Sequence, residues 1–150
     1  MKHLIGAAAA AVFMLGAQAA TAQEAHTWTT EDTFDNVTFA VQNSIVGAGL
    51  VVDHVSHTGD MLERTKDAVG ATKTLFTGAD IFSFCSAKVS REVMTSDITN
   101  VQYCPYTIFV YETPENPGEI TVGFRDYPKG TMDPVTDMLT GIVKDALMID

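Results

Sequence analysis

A strongly apolar hairpin in the second half of the chain most constrains its fold. The run 106–111, Tyr-Thr-Ile-Phe-Val-Tyr, has the β-branched and aromatic composition of a strand. A turn with prolines and a glycine follows over 113–119, and Ile120, Val122 and Phe124 alternate as in a partner strand. Because successive side chains of a strand point to opposite sides, both faces of 106–111 are apolar. Two interpretations stay open: a second copy of the chain or a ligand covers the second face, or its aromatic side chains pack under the final helix.

The other segments alternate between strand and helix patterns, which predicts one α+β domain with the order β-α-β-α-β-α-β-β-α. The predicted segments before and after the hairpin are a strand over 24–30, a helix over 33–46, a strand over 50–55, a helix over 61–69, a strand over 79–85, a helix after Ser86 and a final helix from Asp133-Pro134. Ser86 and Asp133 are the predicted N-caps of the last two helices. We expect a mixed or antiparallel sheet with the helices packed on one face.

The amino terminus has the pattern of an export signal. A short basic start precedes an apolar run over 4–16 and the small residues Ala20-Thr21-Ala22. The pattern predicts a signal peptide over 1–22, cleavage near Gln23 and one mature domain over 23–150. The apolar run is too short for a permanent anchor, so we expect a soluble periplasmic or secreted protein.

The chain is acidic, with a formal net charge of −10 at pH 7. The predicted signal contains one basic residue, Lys2, and no acidic residue, so its removal takes the net charge from −10 to −11. An acidic surface repels the phosphates of nucleic acids and of anionic lipids. We therefore expect no nucleic-acid partner and, after cleavage, no membrane partner.

Four segments of the chain are similar to a known domain family. They are 49–55 (Gly-Leu-Val-Val-Asp-His-Val), 80–88 (Asp-Ile-Phe-Ser-Phe-Cys-Ser-Ala-Lys), 104–112 (Cys-Pro-Tyr-Thr-Ile-Phe-Val-Tyr-Glu) and 119–124 (Glu-Ile-Thr-Val-Gly-Phe). Together they resemble the DUF302 family over 33–128. Ser86-Ala87 stands where many members have Asn-Pro, and Tyr103-Cys104-Pro105 stands in place of their Leu-Pro step. The resemblance implies a compact α+β fold that is often dimeric, and it implies no common activity.

Cys85 and Cys104 are predicted to lie at the same end of the sheet, where one strand ends and the next begins. In an exported protein this placement favours a structural disulfide, whose loop of about 20 residues would contribute roughly 3 kcal/mol. Two buried free thiols are a second interpretation. The third is a reactive or metal-binding thiol at Cys85, because a nearby helix start stabilises a thiolate. The spacing lacks the Cys-x-x-Cys signature of thiol oxidoreductases.

Three polar residues in and after the strand over 50–55 are candidate ligands: Asp53, His54 and His57. If the strand continues, His54 shares a face with Leu50 and Val52 and lies among apolar neighbours, as a structural histidine with one hydrogen-bond partner. If the chain turns into a helix at Ser56, the spacing brings the two imidazoles together. With Asp53 they would then suit zinc or copper, or one imidazole would ligate haem iron.

These residues indicate two classes of function. The first is an exported, non-catalytic module that binds a small ligand or a metal-centred cofactor at His54 and Asp53, with His54 and His57 as the candidate metal ligands. The cofactor would be a transition metal or a haem, and the absence of Cys-x-x-Cys-His excludes covalent haem. The alternative is a thiol-disulfide redox protein that uses Cys85 and Cys104. No serine-hydrolase, zinc-protease or phosphate-loop motif is present.

Overall fold

The computed structural model describes residues 24–150, so the predicted signal peptide over 1–22 lies outside the described residues. The strands are β1 (Ala25–Glu31), β2 (Val51–His57), β3 (Gly78–Cys85), β4 (Tyr106–Glu112) and β5 (Glu119–Arg125). The helices are α1 (Phe34–Gly47), α2 (Thr58–Thr65), α3 (Ala87–Ser96) and α4 (Asp133–Leu147), with 3₁₀ segments at Asp67–Val69 and Ile98–Tyr103. Their order confirms the predicted α+β pattern. None of the helices in 24–150 has both the length and the apolar character needed to cross a membrane.

The five strands form one sheet in the order β1-β5-β4-β3-β2, and every neighbouring pair is antiparallel. The predicted hairpin is β4–β5, in which Phe109 lies opposite Gly123 and Val110 opposite Val122. The two outer strands are β1 and β2. Each of them therefore has one neighbour within the described part of the chain.

One face of the sheet carries the hydrophobic core. Its buried side chains on β3, β4 and β5 are Phe82, Phe84, Tyr106, Ile108, Val110, Ile120, Val122 and Phe124. Helices α1 and α4 pack against them through residues such as Val41 and Leu139, and α3 adds Val93. Full burial of one such side chain contributes about 1.5–3 kcal/mol. The prediction that the helices pack on one face of the sheet is confirmed for α1, α3 and α4.

The opposite face of the sheet is only partly covered. Ile81, Phe109 and Tyr111 are half-buried there, and the ring of Phe76 meets Tyr111 edge-on at a centroid distance of 5.6 Å. Helix α2 lies against β3. Because α4 packs on the core face, the interpretation that Phe109 and Tyr111 lie under the final helix is wrong. Cover by a second copy or by a ligand remains a prediction.

The first residues of the helices test the N-caps and helix starts that were predicted from the local sequence. The Ser86 hydroxyl accepts a hydrogen bond from the backbone N–H of Val89 at 3.3 Å, which confirms the predicted N-cap of α3. The prediction of Asp133 as an N-cap is wrong: Asp133 is the first helical residue, and its carboxylate accepts from the N–H of Gly130 at 2.9 Å. Helix α2 begins three residues earlier than predicted, because the chain turns directly after β2.

Candidate functional site

A β-bulge at Asp53 decides where the side chains of β2 lie. Val52 and His54 pair with consecutive residues of β3, so Asp53 is an extra residue on its strand. The bulge shifts the alternation by one position, so that Val52 and Val55 both face the core while His54 faces the opposite side. His54 is exposed. The expectation that His54 shares an apolar face with Leu50 and Val52 is therefore wrong.

Regular strand alternation over 54–57 keeps the two histidines of β2 on opposite faces of the sheet. His57 lies opposite Asp80 on the core-facing side of the sheet, whereas His54 lies opposite Ser83 on the other side. Among residues 24–150, no three His, Cys, Asp or Glu side chains are grouped so that they could hold a metal ion. An exposed imidazole on an open strand also lacks the enclosing walls of a haem pocket. The structure thus does not bring His54 and His57 together, and metal binding by either residue stays a prediction.

His57 is held in a defined geometry by Asp80. Its Nδ1 lies 2.8 Å from Oδ1 of Asp80, and because a carboxylate only accepts hydrogen bonds, Nδ1 is the donor. The antiparallel register positions the pair, since His57 ends β2 directly opposite Asp80 on β3. The side chain of Asp80 is 13% exposed and that of His57 is 62% exposed. The shielded carboxylate therefore orients an imidazole whose Nε2 remains for solvent or a ligand.

A cleft of about 420 Å³ opens between this pair and α1. Its other lining residues come from α1 and from the core face of the sheet: Asp35, Thr38, Phe39, Gln42, Val55 and Phe82. A cleft of a few hundred Å³ that combines apolar walls with a few polar groups is typical of small-ligand sites. A larger depression of about 670 Å³ beside the β4–β5 turn is lined by polar and acidic residues, Pro117 and Gly118, and lacks a large apolar side chain. The cleft at His57 is accordingly the better candidate.

The cleft contains a hydroxyl group but not an activated nucleophile. The Oγ1 of Thr38 lies 3.0 Å from the carbonyl oxygen of Phe34 and 3.1 Å from that of Asp35, and its proton is donated to the backbone of α1. A general base activates a hydroxyl nucleophile through a hydrogen bond between the two groups. Among the described residues that line the cleft, this hydroxyl is therefore paired with the backbone and not with a general base.

Cys85 and Cys104 form the second candidate site. Their Sγ atoms lie 2.6 Å apart, and both residues are free cysteines in the structure. Cys85 is exposed and Cys104 is half-buried, so the interpretation of two buried thiols is wrong. Partial burial, the hydrogen bond with Cys104 and the charges of Cys104 and Asp53 raise the pKa of Cys85 to about 12. A thiol with so high a pKa is the reverse of the stabilised thiolate expected next to a helix start. The Cys104–Pro105 peptide bond is cis.

Two carboxylate partners of histidines are not evident from the local sequence. The pairing of Asp80 with His57 depends on the bulged register of β2 and β3. His26 lies in no recognisable motif, yet its Nε2 lies 3.0 Å from Oδ1 of Asp126, 100 positions away. The pairing of β1 with β5 brings these two together, and that pairing is a long-range property of the sheet.

The element order and the five-stranded antiparallel sheet, with α1, α3 and α4 on its core face, define a DUF302-like α+β fold. A crystal structure described as an uncharacterized conserved protein DUF302 from Bacillus stearothermophilus is similar to this chain, with a TM-score of 0.56 and 16% sequence identity. The similarity covers 85% of this chain and 90% of that chain. No family model and no curated protein matches the sequence. The resemblance noted in the sequence is thus confirmed for the fold, and at this identity it assigns no function.

Proposed function

We propose that the protein is a small-ligand-binding module whose site is the cleft between α1 and the His57–Asp80 pair. The observation that carries the proposal is the 2.8 Å hydrogen bond between an exposed imidazole and a shielded carboxylate at the wall of this cleft. Such a pair fixes the orientation of the ring before a ligand arrives, which lowers the entropic cost of binding.

The lining of the cleft indicates the chemical class of the ligand. Asp35 and Asp80 supply two carboxylates, and the lining contains neither lysine nor arginine. Carboxylates favour cationic groups that donate hydrogen bonds. Val55 and Phe82 supply an apolar wall for the rest of the molecule. The ligand is therefore an organic amine with an aromatic or aliphatic body.

Two compounds of similar size and opposite charge test this proposal: phenethylamine and 3-phenylpropionate. We expect phenethylamine alone to shift the backbone amide NMR signals of the residues that line the cleft. Asp80→Asn keeps the shape of the side chain and removes its charge, so the affinity should fall at least about tenfold, or about 1.4 kcal/mol. Asp126→Asn, in the other His–Asp pair, is the matched control and should change the affinity less than about twofold, because it acts at a separate site.

Several outcomes would overturn the proposal. Equal binding of the two compounds, or an unchanged affinity in Asp80→Asn, would rule out recognition of an amine by the carboxylates. Signal changes that cluster around Cys85 instead of α1 would move the site elsewhere. The absence of any shift at saturating phenethylamine would also count against it.

A thiol-disulfide redox function is the second candidate, favoured by the 2.6 Å distance between the sulfurs of Cys85 and Cys104 and by the exposure of Cys85. The raised pKa of Cys85 opposes it, because the thiolate is the attacking species in exchange. Equilibration with glutathione buffers measures the reduction potential. A value well above roughly −300 mV would support a redox function, whereas a lower value is typical of structural disulfides.

We also propose that the protein acts after export, in the periplasm or outside the cell, and that it is a homodimer. The support for export is the amino-terminal pattern, and the support for a dimer is the half-covered sheet face with Phe109 and Tyr111. Intact mass from an exporting host tests the first point, because retention of residues 1–22 would contradict it. Light scattering of the purified protein tests the second, and a monomer at all concentrations would contradict it.

A further inference from the structure

We infer that Cys85 and Cys104 are joined by a disulfide in the exported protein, and that this cross-link fastens the segment 86–103 to the sheet. The inference goes beyond ligand binding, since the cysteines do not line the cleft at His57.

The sheet itself brings the two cysteines together. Phe84 lies opposite Tyr106 in the β3–β4 register, so Cys85 and the residues just before β4 share one end of the sheet. The two sulfurs lie 2.6 Å apart, against about 2.05 Å in a disulfide bond. Because the register already fixes both strand ends, the effective concentration of one thiol at the other is high.

The segment between the cysteines is attached to the rest of the domain through one face of α3 and through Tyr103, whose ring meets that of Tyr127 at a centroid distance of 5.7 Å. Val93 of α3 is buried in the core, and the hydroxyl groups of Ser90 and Tyr106 are 3.1 Å apart. The 3₁₀ part of the segment leaves Ile98 and Val101 exposed. A covalent bond between Cys85 and Cys104 would therefore add a fixed point at the base of a segment that is otherwise held by one face of α3 and by Tyr103.

Formation of the bond needs an oxidant, which we take to be a disulfide compound RSSR. One cysteine loses its proton and attacks a sulfur of RSSR, which forms a mixed disulfide and releases RSH. The second cysteine then attacks the protein sulfur of that mixed disulfide, and the second RSH leaves. Two electrons pass from the cysteine sulfurs to RSSR, and the two cysteine protons end on the two RSH molecules.

Oxidised glutathione, applied to the purified full chain and followed by denaturation, tests the inference. We expect the mass to fall by two hydrogen atoms and the unfolded protein to show no free thiol until it is reduced. Reduction should lower the melting temperature by roughly 10 °C, as for a loop of this length in a domain of this size. The Cys85→Ser and Cys104→Ser variants should each melt near the temperature of the reduced protein, and reductant should leave the double variant unchanged.

Three results would overturn the cross-link. They are two reactive thiols in unfolded, unreduced protein, a mass increase of two glutathione moieties, and equal melting temperatures of the oxidised and reduced forms. Phenethylamine binding is measured on the same oxidised and reduced samples. Because the cysteines lie outside the cleft, loss or retention of phenethylamine binding bears only on the ligand site. The mass and the thiol count decide whether the cross-link forms.

Discussion

Residues 24–150 contain two His–Asp pairs near the two outer strands of the sheet, and the pairs differ in what surrounds the imidazole. His57 on β2 binds Asp80 through Nδ1, and the ring is 62% exposed while the carboxylate is 13% exposed. His26 on β1 binds Asp126 through Nε2, and the two side chains are 39% and 43% exposed. In the first pair the carboxylate is therefore shielded and the imidazole is exposed to solvent, whereas in the second pair both side chains are exposed to a similar extent.

The packing of the rings explains this difference. His26 stacks on the buried ring of Phe124 at a centroid distance of 4.9 Å, so much of its surface rests on the core. His57 stands at the wall of an open cleft. The same residue types at the same kind of strand edge thus serve two purposes: His26 fastens β1 to the core, and His57 remains accessible to a ligand.

The largest change is expected from Phe124→Ala, which removes the support of His26. Phe124 is fully buried, so the cavity should lower the free energy of unfolding by about 3–5 kcal/mol in urea denaturation. Phe39→Ala, at the rim of the cleft, removes a ring that is 69% exposed and should cost less than about 0.5 kcal/mol while weakening amine binding. A small loss for Phe124→Ala would show that the His26 end does not belong to the core.

The next largest loss of stability is expected from alanine substitutions of the glycines beside each His–Asp pair. A Cβ at Gly123 would press on the carbonyl oxygen of His26, and a Cβ at Gly59 would lie 2.7 Å from the backbone nitrogen of Ala79. Neither backbone atom yields without moving a strand, so each alanine variant should lose about 1–3 kcal/mol of stability. Gly141→Ala on α4 meets nothing within 4 Å and should gain roughly 0.5–1 kcal/mol. Denaturation of all three variants in parallel checks this, and a neutral Gly123→Ala would contradict the tight approach of β1.

Removal of the imidazoles should have a smaller and unequal effect on stability. His26→Ala loses the ring contact with Phe124 and should cost about 0.5–1.5 kcal/mol. His57→Ala removes an exposed imidazole and opens the shielded Asp80 carboxylate to water, which replaces the lost hydrogen bond, so it should cost about 0.5 kcal/mol or less. Thermal unfolding of the two variants makes the comparison. Equal losses would remove the distinction between a packed and an accessible histidine.

The smallest effect is a difference in proton position with no change in stability. In the neutral rings we expect the proton of His57 on Nδ1 and that of His26 on Nε2, because those nitrogens donate to the carboxylates. Long-range ¹H–¹⁵N NMR of the labelled protein distinguishes the two tautomers. Asp80→Asn should alter the signals of His57 and leave those of His26 in place. A neutral His57 with its proton on Nε2 would contradict the observed pairing.

Local sequence patterns are sufficient to predict the helices and strands of this fold. The candidate site is harder to predict, because it depends on the register between strands that are far apart in the sequence. The order of strands and helices follows from the spacing of apolar residues, and the Ser86 cap follows from its own side chain. Simple alternation assigns the side chains of β2 to the wrong faces, because the extra residue Asp53 moves every later side chain of the strand to the opposite face. A signal for the bulge was present, since Val52 and Val55 are both apolar yet three positions apart, which a regular strand does not place on one face. The Asp80 partner required the register that this bulge sets.

The bulge at Asp53 also makes the two borders of the sheet unequal toward other chains. An outer strand exposes a row of N–H and C=O groups that can template the addition of a foreign strand, and a bulge interrupts that row and twists it away. Strand β1 keeps a regular register with β5 over all seven residues of Ala25–Glu31, whereas β2 is broken after Val52. Strand addition and aggregation through the sheet edge are therefore disfavoured at β2. The regular strand β1 is the edge at which another strand can be added more readily.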